Sequence, residues 1–119
     1  MNKELALAIM QCEDCPLYQN ANKAVVGEGP IPAEWMVVGE GPGREEDWTG
    51  RPFVGPSGAK LKALLGLAGL KREDVFLTNV VKHRTSTANR KPKVKEIKAC
   101  RKWLEGELRV VGPKIMVTL

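Results

Sequence analysis

The sequence predicts an α/β protein, a three-layer α/β/α fold around a central parallel sheet. Short apolar runs at 35–39, 74–81 and 115–119 predict three strands, and the first is typical of a parallel strand that is covered on both faces. Apolar residues at helical spacing fill the segments between these runs, over 59–68 and 93–108. Such an alternation of strand and helix favours parallel strands joined by crossover connections.

Each element has its own local signal. Residues 2–10 are good helix formers and predict a short N-terminal helix, whereas 17–34 are polar and rich in glycine and proline and predict an irregular surface segment. Ser57 is of a type that caps helices, and Gly69 follows the end of the predicted helix. The apolar stripe of that helix consists of Leu61, Leu64, Leu65 and Ala68. Gly112 and Pro113 end the last predicted helix.

The segment 39–58 concentrates glycine and proline directly after the first predicted strand. Glycine lets a backbone approach a ligand closely, and proline fixes turns, so we expect a shaped loop here. The carboxyl end of a strand is where open α/β sheets bind ligands. The loop has neither the dinucleotide-binding nor the Walker A glycine pattern, which argues against those two nucleotide sites.

The composition bounds the function. The chain has 119 residues, 43% of them hydrophobic, and we expect one domain over 1–119. A net charge of +5 and a pI near 9.3 favour an anionic partner such as nucleic acid, and the segment 82–102 is its most basic stretch. No apolar run is long enough to span a membrane and no signal peptide is recognisable, so we expect a cytoplasmic protein.

Three cysteines and one histidine are candidate metal ligands. Cys12 and Cys15 form a Cys-x-x-Cys pair, and Cys100 and His83 complete four potential ligands for zinc or for an iron-sulfur cluster. The alternative is that Cys100 is a small buried apolar residue, that His83 is a loop residue and that the pair is a redox turn.

Acidic residues in the glycine-rich segment are candidates for water activation. One of Glu40, Glu45, Glu46 and Asp47 could orient a water beside a substrate. The acids of 45–47 could equally stand at the start of a helix, favoured by its dipole. That alternative is poor for Glu40, which lies between two glycines at a strand end.

Two further side chains suit a planar, hydrogen-bonding ligand. Phe53 could stack on a base or be a core aromatic, and Asn79 could read a base edge or form a turn. Phosphate could be bound by the backbone amides at the helix start over 55–58. Basic side chains of the next loop could also bind phosphate or only face solvent, namely Lys82, Arg84, Arg90, Lys91 and Lys93.

With these positions in order, the chain resembles the family 4 uracil-DNA glycosylases, the iron-sulfur group of bacteria and archaea. The resemblance extends over the whole chain and rests on an ordered set of motifs. These are Cys12-x-x-Cys15-Pro-Leu, Gly39-Glu-Gly-Pro-Gly, Gly50-Arg-Pro-Phe-Val-Gly-Pro-Ser-Gly, Thr78-Asn-Val-Val-Lys, Asn89-Arg-x-Pro92 and Glu96-Ile-x-x-Cys100-x-x-Trp-Leu.

The resemblance implies a base-flipping DNA repair hydrolase that cuts the N-glycosidic bond of deoxyuridine in DNA. Glu40 and the backbone of Gly41 would hold the attacking water, with Glu46 or Asp47 nearby.

The same resemblance implies how the substrate would be held. Phe53 would stack on the extruded uracil, Asn79 would hydrogen-bond its Watson–Crick edge, and Asn89 lies in a loop that closes on the site. The DNA backbone would be bound by Gly55, Ser57 and Gly58, with Lys82, Arg84 and Arg90.

A 4Fe-4S cluster is the implied cofactor, as a structural staple on Cys12, Cys15, Cys100 and His83. The family has Lys-Cys-Arg-Pro where this chain has Lys82-His83-Arg84-Thr85, and imidazole can replace thiolate on iron.

The family domain continues beyond these motifs with a further strand, a His motif and a DNA-entering loop. We therefore expect either weak excision or a truncated, non-catalytic iron-sulfur module that binds DNA or a protein. A second chain could also pair with the edge strand over 114–119. The expected setting is the prokaryotic cytoplasm, in association with the nucleoid.

Overall fold

Three parallel strands form the sheet in the computed structural model, which describes residues 3–88 and 90–119. They are β1, Trp35–Gly39, β2, Val75–Asn79, and β3, Ile115–Thr118, in the order β2-β1-β3. Both pairs are parallel, and the register places Gly39 beside Asn79. The predicted α/β class is confirmed.

Four α-helices accompany the strands in the part of the chain that the structure describes. They are α1, Lys3–Met10, α2, Arg44–Thr49, α3, Pro56–Leu67, and α4, Val94–Val111. Two short 3₁₀ turns lie at Pro16–Gln19 and Arg72–Asp74.

Strands β1 and β2 are covered on both faces of the sheet, to which their side chains point alternately. One face of the sheet packs against Leu61 and Leu65 of α3, and its side chains are Val37, Val75 and Leu77. The other face packs against Val111 of α4, and its side chains are Met36, Val38 and Phe76. This arrangement is the predicted three-layer architecture.

The boundaries of some elements differ from the prediction. Helix α3 begins at Pro56 with Gly55 as its cap, so Ser57 lies inside the helix and does not cap it. Helix α2 lies within the glycine-rich segment, and the alternative that the acids of 45–47 stand at the start of a helix is the one that the structure shows. Leu64 is exposed and does not belong to the buried stripe of α3.

The two outer strands have different surroundings. The irregular segment runs along β2, where Glu28 and Leu77 exchange backbone hydrogen bonds of 2.9 and 2.7 Å. Strand β3 lies at the opposite edge, and Ile115 and Met116 on it are exposed. Pairing of a second chain with this edge stays a prediction. No helix formed by residues 3–88 and 90–119 has the length and apolar character to cross a membrane.

Candidate functional site

The carboxyl ends of β1 and β2 are joined by backbone hydrogen bonds. The N–H of Val80 donates to the carbonyl of Gly39 at 2.8 Å, and the N–H of Val81 donates to the carbonyl of Glu40 at 3.3 Å. These bonds bring Glu40 and Asn79 to the same edge of the sheet, as sequence motifs at two strand ends predict.

Asn79 and Phe53 converge on Gly39. A Cβ atom on Gly39 would lie 2.5 Å from Asn79 Oδ1 and 2.7 Å from Phe53 Cζ, so no larger residue fits without displacing them. Both side chains are buried, and Phe53 packs in the same apolar cluster as Val37 and Leu61. The core role that the sequence left open for Phe53 is therefore what the structure shows, and its stacking on a base stays a prediction.

The backbone of Phe53 is held in an unusual conformation. Its φ is 52°, in the left-handed region that bulky residues rarely adopt. Arg72 donates to the carbonyl of Phe53 at 2.5 Å and to that of Pro52 at 2.6 Å. A Cβ on Gly58 would lie 2.1 Å from the Phe53 carbonyl oxygen, so glycine is required there for close packing. Gly58 N–H also donates to Gly55 at 2.9 Å, so the prediction that Gly58 binds phosphate is wrong.

Glu46 supplies the negative charge at the start of α3. Its buried carboxylate accepts the N–H groups of Gly43, Val54 and Gly55 at 3.0, 2.9 and 2.8 Å. Burial alone would raise the pKa of Glu46, but these backbone hydrogen bonds hold it below its usual value. The Gly55 amide is therefore not available to phosphate, and the predicted catalytic role of Glu46 is corrected to one of positioning the loop.

Asp47 ties α2 to the irregular segment. Its carboxylate accepts the backbone N–H and the side-chain amide of Asn22 at 2.8 and 2.7 Å, and it is buried. These contacts give Asp47 a positioning role, and its place near a reacting water stays a prediction.

A hollow of about 510 Å³ opens beside Glu40. Gly41, Ser57 and Arg90 line it as well, and the Glu40 and Ser57 side chains are exposed. Glu96 fixes the Arg90 guanidinium through two hydrogen bonds of 2.9 and 2.8 Å. The predicted water site and two predicted phosphate contacts thus share one hollow. Asn89, predicted to close on it, lies outside the described residues.

Arg84 lies in a neighbouring hollow of about 390 Å³, together with Arg44 and Trp48. It donates to the carbonyl of Thr87 at 3.1 Å. Its phosphate contact stays a prediction.

Lys82 is not a phosphate contact, and that prediction is wrong. Its side chain is 0% exposed, and Nζ donates to Thr78 Oγ1 at 2.6 Å, to the Asn79 carbonyl at 2.7 Å and to Glu107 Oε1 at 2.5 Å. Burial lowers the pKa of Lys82, and the Glu107 carboxylate opposes that shift. The sequence alone does not distinguish Lys82, which lies in the interior, from the exposed basic residues of the segment 82–102.

The three thiols gather on the inner side of α4. Buried Cys100 packs with Leu17 and Val81, and Cys15 packs against the same cluster. The indole N–H of Trp103 donates to Cys12 Sγ at 3.2 Å. Burial raises the pKa of Cys100 to about 11, and the neighbouring Cys15 and Cys12 add to the shift against a backbone hydrogen bond from Lys82.

His83 shares a hollow with Cys12. It is buried, and the hollow has a volume of about 670 Å³. Burial lowers the pKa of His83, with Asp47 opposing the shift. Across residues 3–88 and 90–119, no three His, Cys, Asp or Glu side chains are placed to hold a single metal ion. Thiol donors of this kind are the ligands that iron-sulfur clusters use, and a cluster on these residues stays a prediction.

Three structural side chains at the site were missed by sequence reasoning, namely Arg72, Glu96 and Glu107. Glu107 lies between Leu104 and Val111 on the inward side of α4, and an acid in an apolar stripe is a signal that could have found it. Glu96 accepts the N–H of Lys93 at 2.7 Å, as an acid three residues into a helix often does. Arg72 has no comparable signal, because its partners, two backbone carbonyls and the Glu28 carboxylate, lie far from it in the sequence.

The fold and site define a parallel α/β protein with its candidate ligand site at the carboxyl edge of the sheet. The model of the uracil DNA glycosylase superfamily matches residues 26–119. The chain belongs to the uracil DNA glycosylase superfamily.

Individual curated relatives show which members of the superfamily the chain is similar to. The type-4 uracil-DNA glycosylase of Thermotoga maritima is 45% identical over 93% of this chain and 57% of its own length. That of Sulfurisphaera tokodaii is 46% identical over 93% of this chain and 50% of its own. The type-5 uracil-DNA glycosylase of Thermus thermophilus is 35% identical over 80% and 48%, respectively. The chain spans about half the length of the curated relatives it matches.

Proposed function

We propose that the chain hydrolyses the N-glycosidic bond of deoxyuridine in DNA and releases uracil from an extruded nucleotide. The observation that carries this proposal is the convergence of Asn79 and Phe53 on Gly39, next to Glu40. The similarity to proteins named type-4 uracil-DNA glycosylase supports it.

Asn79 is suited to select uracil. Its amide has an acceptor oxygen and a donor nitrogen side by side, which matches the N3–H donor and O4 acceptor of uracil. Cytosine has the opposite pattern, since it presents an N4 donor and an N3 acceptor. An amide held in one orientation would leave cytosine with unpaired polar groups, and a buried site penalises these strongly.

Glu40 is suited to hold water at the sugar. A dissociative cleavage leaves positive charge on the sugar and negative charge on the base, so position and charge matter more than a strong nucleophile. The exposed carboxylate of Glu40 would stabilise the positive sugar and orient a water, and the Gly41 backbone would hold that water. Glu46 keeps the loop in shape by accepting hydrogen bonds from its amides, and Asp47 ties it to Asn22.

The DNA backbone would lie across the hollow beside Glu40. Ser57 and Arg90 line this hollow, and Arg84 lies in the next one. Phosphate contacts of this kind position a nucleic acid without reading its sequence.

The thiol site would hold a 4Fe-4S cluster on Cys12, Cys15 and Cys100, with His83 as the fourth ligand. When bound, the cluster would supply a covalent staple between the N-terminal turn and α4. We expect His83→Cys to keep or raise the iron content per chain, measured by iron assay and visible absorbance. Loss of iron on this change would show that position 83 is not a ligand position.

The direct test is release of uracil from labelled single- and double-stranded oligonucleotides that contain one deoxyuridine. The iron-loaded chain should leave alkali-labile abasic sites, and matched oligonucleotides with deoxycytidine or thymidine should stay intact. Glu40→Gln should reduce the rate by about 10²-fold or more. Oligonucleotides that stay uncut at high protein concentration would overturn the proposal.

A second candidate is a non-catalytic iron-sulfur module that binds DNA. The exposed side of α4 favours it, because Lys93 at its cap and Lys95, Lys98 and Lys102 along it face solvent. Salt-dependent DNA binding by a sample that leaves uracil uncut would support this alternative.

A further inference from the structure

A buried ammonium group lies directly beneath the candidate base-reading residue. The side chains of Lys82 and Glu107 are both 0% exposed. Nζ has three protons, and each finds an acceptor: Thr78 Oγ1, the Asn79 carbonyl and Glu107 Oε1. Glu107 accepts two further hydrogen bonds, from Thr78 Oγ1 at 2.7 Å and from Gly27 N–H at 3.0 Å.

An ion pair at this depth needs an explanation other than stability. Removing two charges from water costs several kcal/mol for each ion, and apolar residues of similar volume often do as well or better. Every donor and acceptor of this network is paired, and such fully paired buried networks fix one geometry. The role of the network is therefore to be found in the part of the chain that it holds in place.

The network fixes the last two residues of β2. Lys82 binds the carbonyl of Asn79, which is where the strand ends and the chain turns. The next two N–H groups, of Val80 and Val81, bind the end of β1 at Gly39 and Glu40. Because a side chain leaves its backbone in a direction set by the backbone dihedrals, the Lys82 contact helps to set where the Asn79 amide lies.

We propose that Lys82, held by Glu107, is a positioning residue that orients Asn79 for recognition of uracil over cytosine. This inference rests on the proposed function. Lys82 does not touch the base or the reacting atoms. It acts through the Asn79 carbonyl, and its loss should change the discrimination between bases more than it changes the fold.

The test compares the binding of free uracil and free cytosine, by calorimetry and by NMR of the side-chain amides. The test variant is Lys82→Met with Glu107→Leu, which removes both charges and leaves neither buried and unpaired. Its matched control is Arg101→Met with Glu105→Leu, which removes an exposed ion pair from the same helix. Asn79→Asp is the reference for lost recognition.

We expect the wild type and the control pair to prefer uracil, and Asn79→Asp to lose that preference. The Lys82/Glu107 double variant should lose at least about tenfold of the uracil-over-cytosine ratio, because small misplacements of a recognition group are costly. The NMR signals of the Asn79 side-chain amide should shift in this variant and not in the control.

The outcomes separate the two claims. A double variant that keeps the uracil-over-cytosine ratio, while Asn79→Asp loses it, overturns the role of Lys82 and leaves the proposed function intact. A wild type without any preference for uracil contradicts the proposed function itself. If the apolar pair does not fold, Lys82→Gln with Glu107→Gln replaces it, and the same ratio decides.

Discussion

Lys82 and Arg90 carry the same charge in the same basic stretch, but they lie in opposite surroundings. Lys82 is fully buried against Glu107, whereas the Arg90 side chain is 36% exposed and pairs with Glu96 at the rim of the hollow beside Glu40. The first pair lies beneath Asn79, and the second faces the space where DNA would lie. A run of basic residues can therefore contain both a buried residue that stabilises the interior and a residue at the surface.

The largest effect is expected when Lys82 is removed from its buried pair with Glu107, and it is a loss of stability. Lys82→Met leaves the Glu107 carboxylate buried and without its cation, so the free energy of unfolding should fall by about 3–5 kcal/mol. Urea unfolding at neutral pH measures it. As a control, Arg101→Met breaks an exposed pair, whose side chains are 74% and 47% exposed, and should cost no more than about 0.5 kcal/mol. Equal losses in the two variants would contradict the contrast between buried and exposed pairs.

An intermediate loss of stability is expected when acid protonates Glu96, the partner of Arg90 at the rim of the hollow. The Arg90 guanidinium and the Lys93 N–H lower the pKa of Glu96 from its ordinary 4.5 to about 2. A carboxyl with a depressed pKa in the folded state stabilises above its unfolded pKa, and that contribution is lost as pH falls from 4.5 toward 2.

Because Arg90 is partly exposed, we expect the loss to be only about 1–2 kcal/mol. Urea unfolding of the wild type and of Glu96→Gln should therefore differ most at pH near 6, differ less as pH falls below 4.5, and converge only as pH approaches 2. A stability difference that stays constant over this range would show that Glu96 does not titrate as the geometry predicts.

The smallest effect is expected on the salt dependence of DNA binding. It should change when Arg90 is removed and stay the same when Lys82 is removed. Arg90→Met should reduce the slope of log affinity against log salt by about one, which is roughly a fourfold change between 50 and 200 mM salt. The Lys82→Met/Glu107→Leu variant should leave the slope unchanged. Fluorescence anisotropy with an oligonucleotide without uracil measures both. A reduced slope in the double variant would restore Lys82 as a phosphate contact.

Much of the fold could be predicted from the sequence, because apolar strands and helical stripes report burial directly. The strands at 35–39 and 115–119 and the three-layer order were predicted from apolar runs, although Ile115 and Met116 on the last strand are exposed. Helix α2 stood only as an alternative for the acids of 45–47, because it lies among glycines and its buried residues are the charged Glu46 and Asp47. Sequence patterns of six residues with few buried apolar side chains give little helical signal.

The site was only partly predictable, for a physical reason. Motifs at two strand ends brought Glu40 and Asn79 together, since parallel strands end at one edge. The sequence could not show whether a carboxylate or an ammonium is used inside the protein, because that depends on partners far along the chain. Glu46 accepts hydrogen bonds from the amides of Val54 and Gly55, and Lys82 donates to Glu107 on α4. In both cases, a side chain that was predicted at the substrate instead binds groups of the protein and stabilises the fold.

The central claim is that the end of β2 reads uracil, and Asn79→Asp tests it most directly. In the uracil-release assay, iron-loaded Asn79→Asp should lose about a thousandfold or more in rate, because a carboxylate cannot donate to O4. Its visible absorbance and iron content should match those of the wild type. Unchanged uracil release by Asn79→Asp, or an equal loss of iron and of activity, would contradict the account.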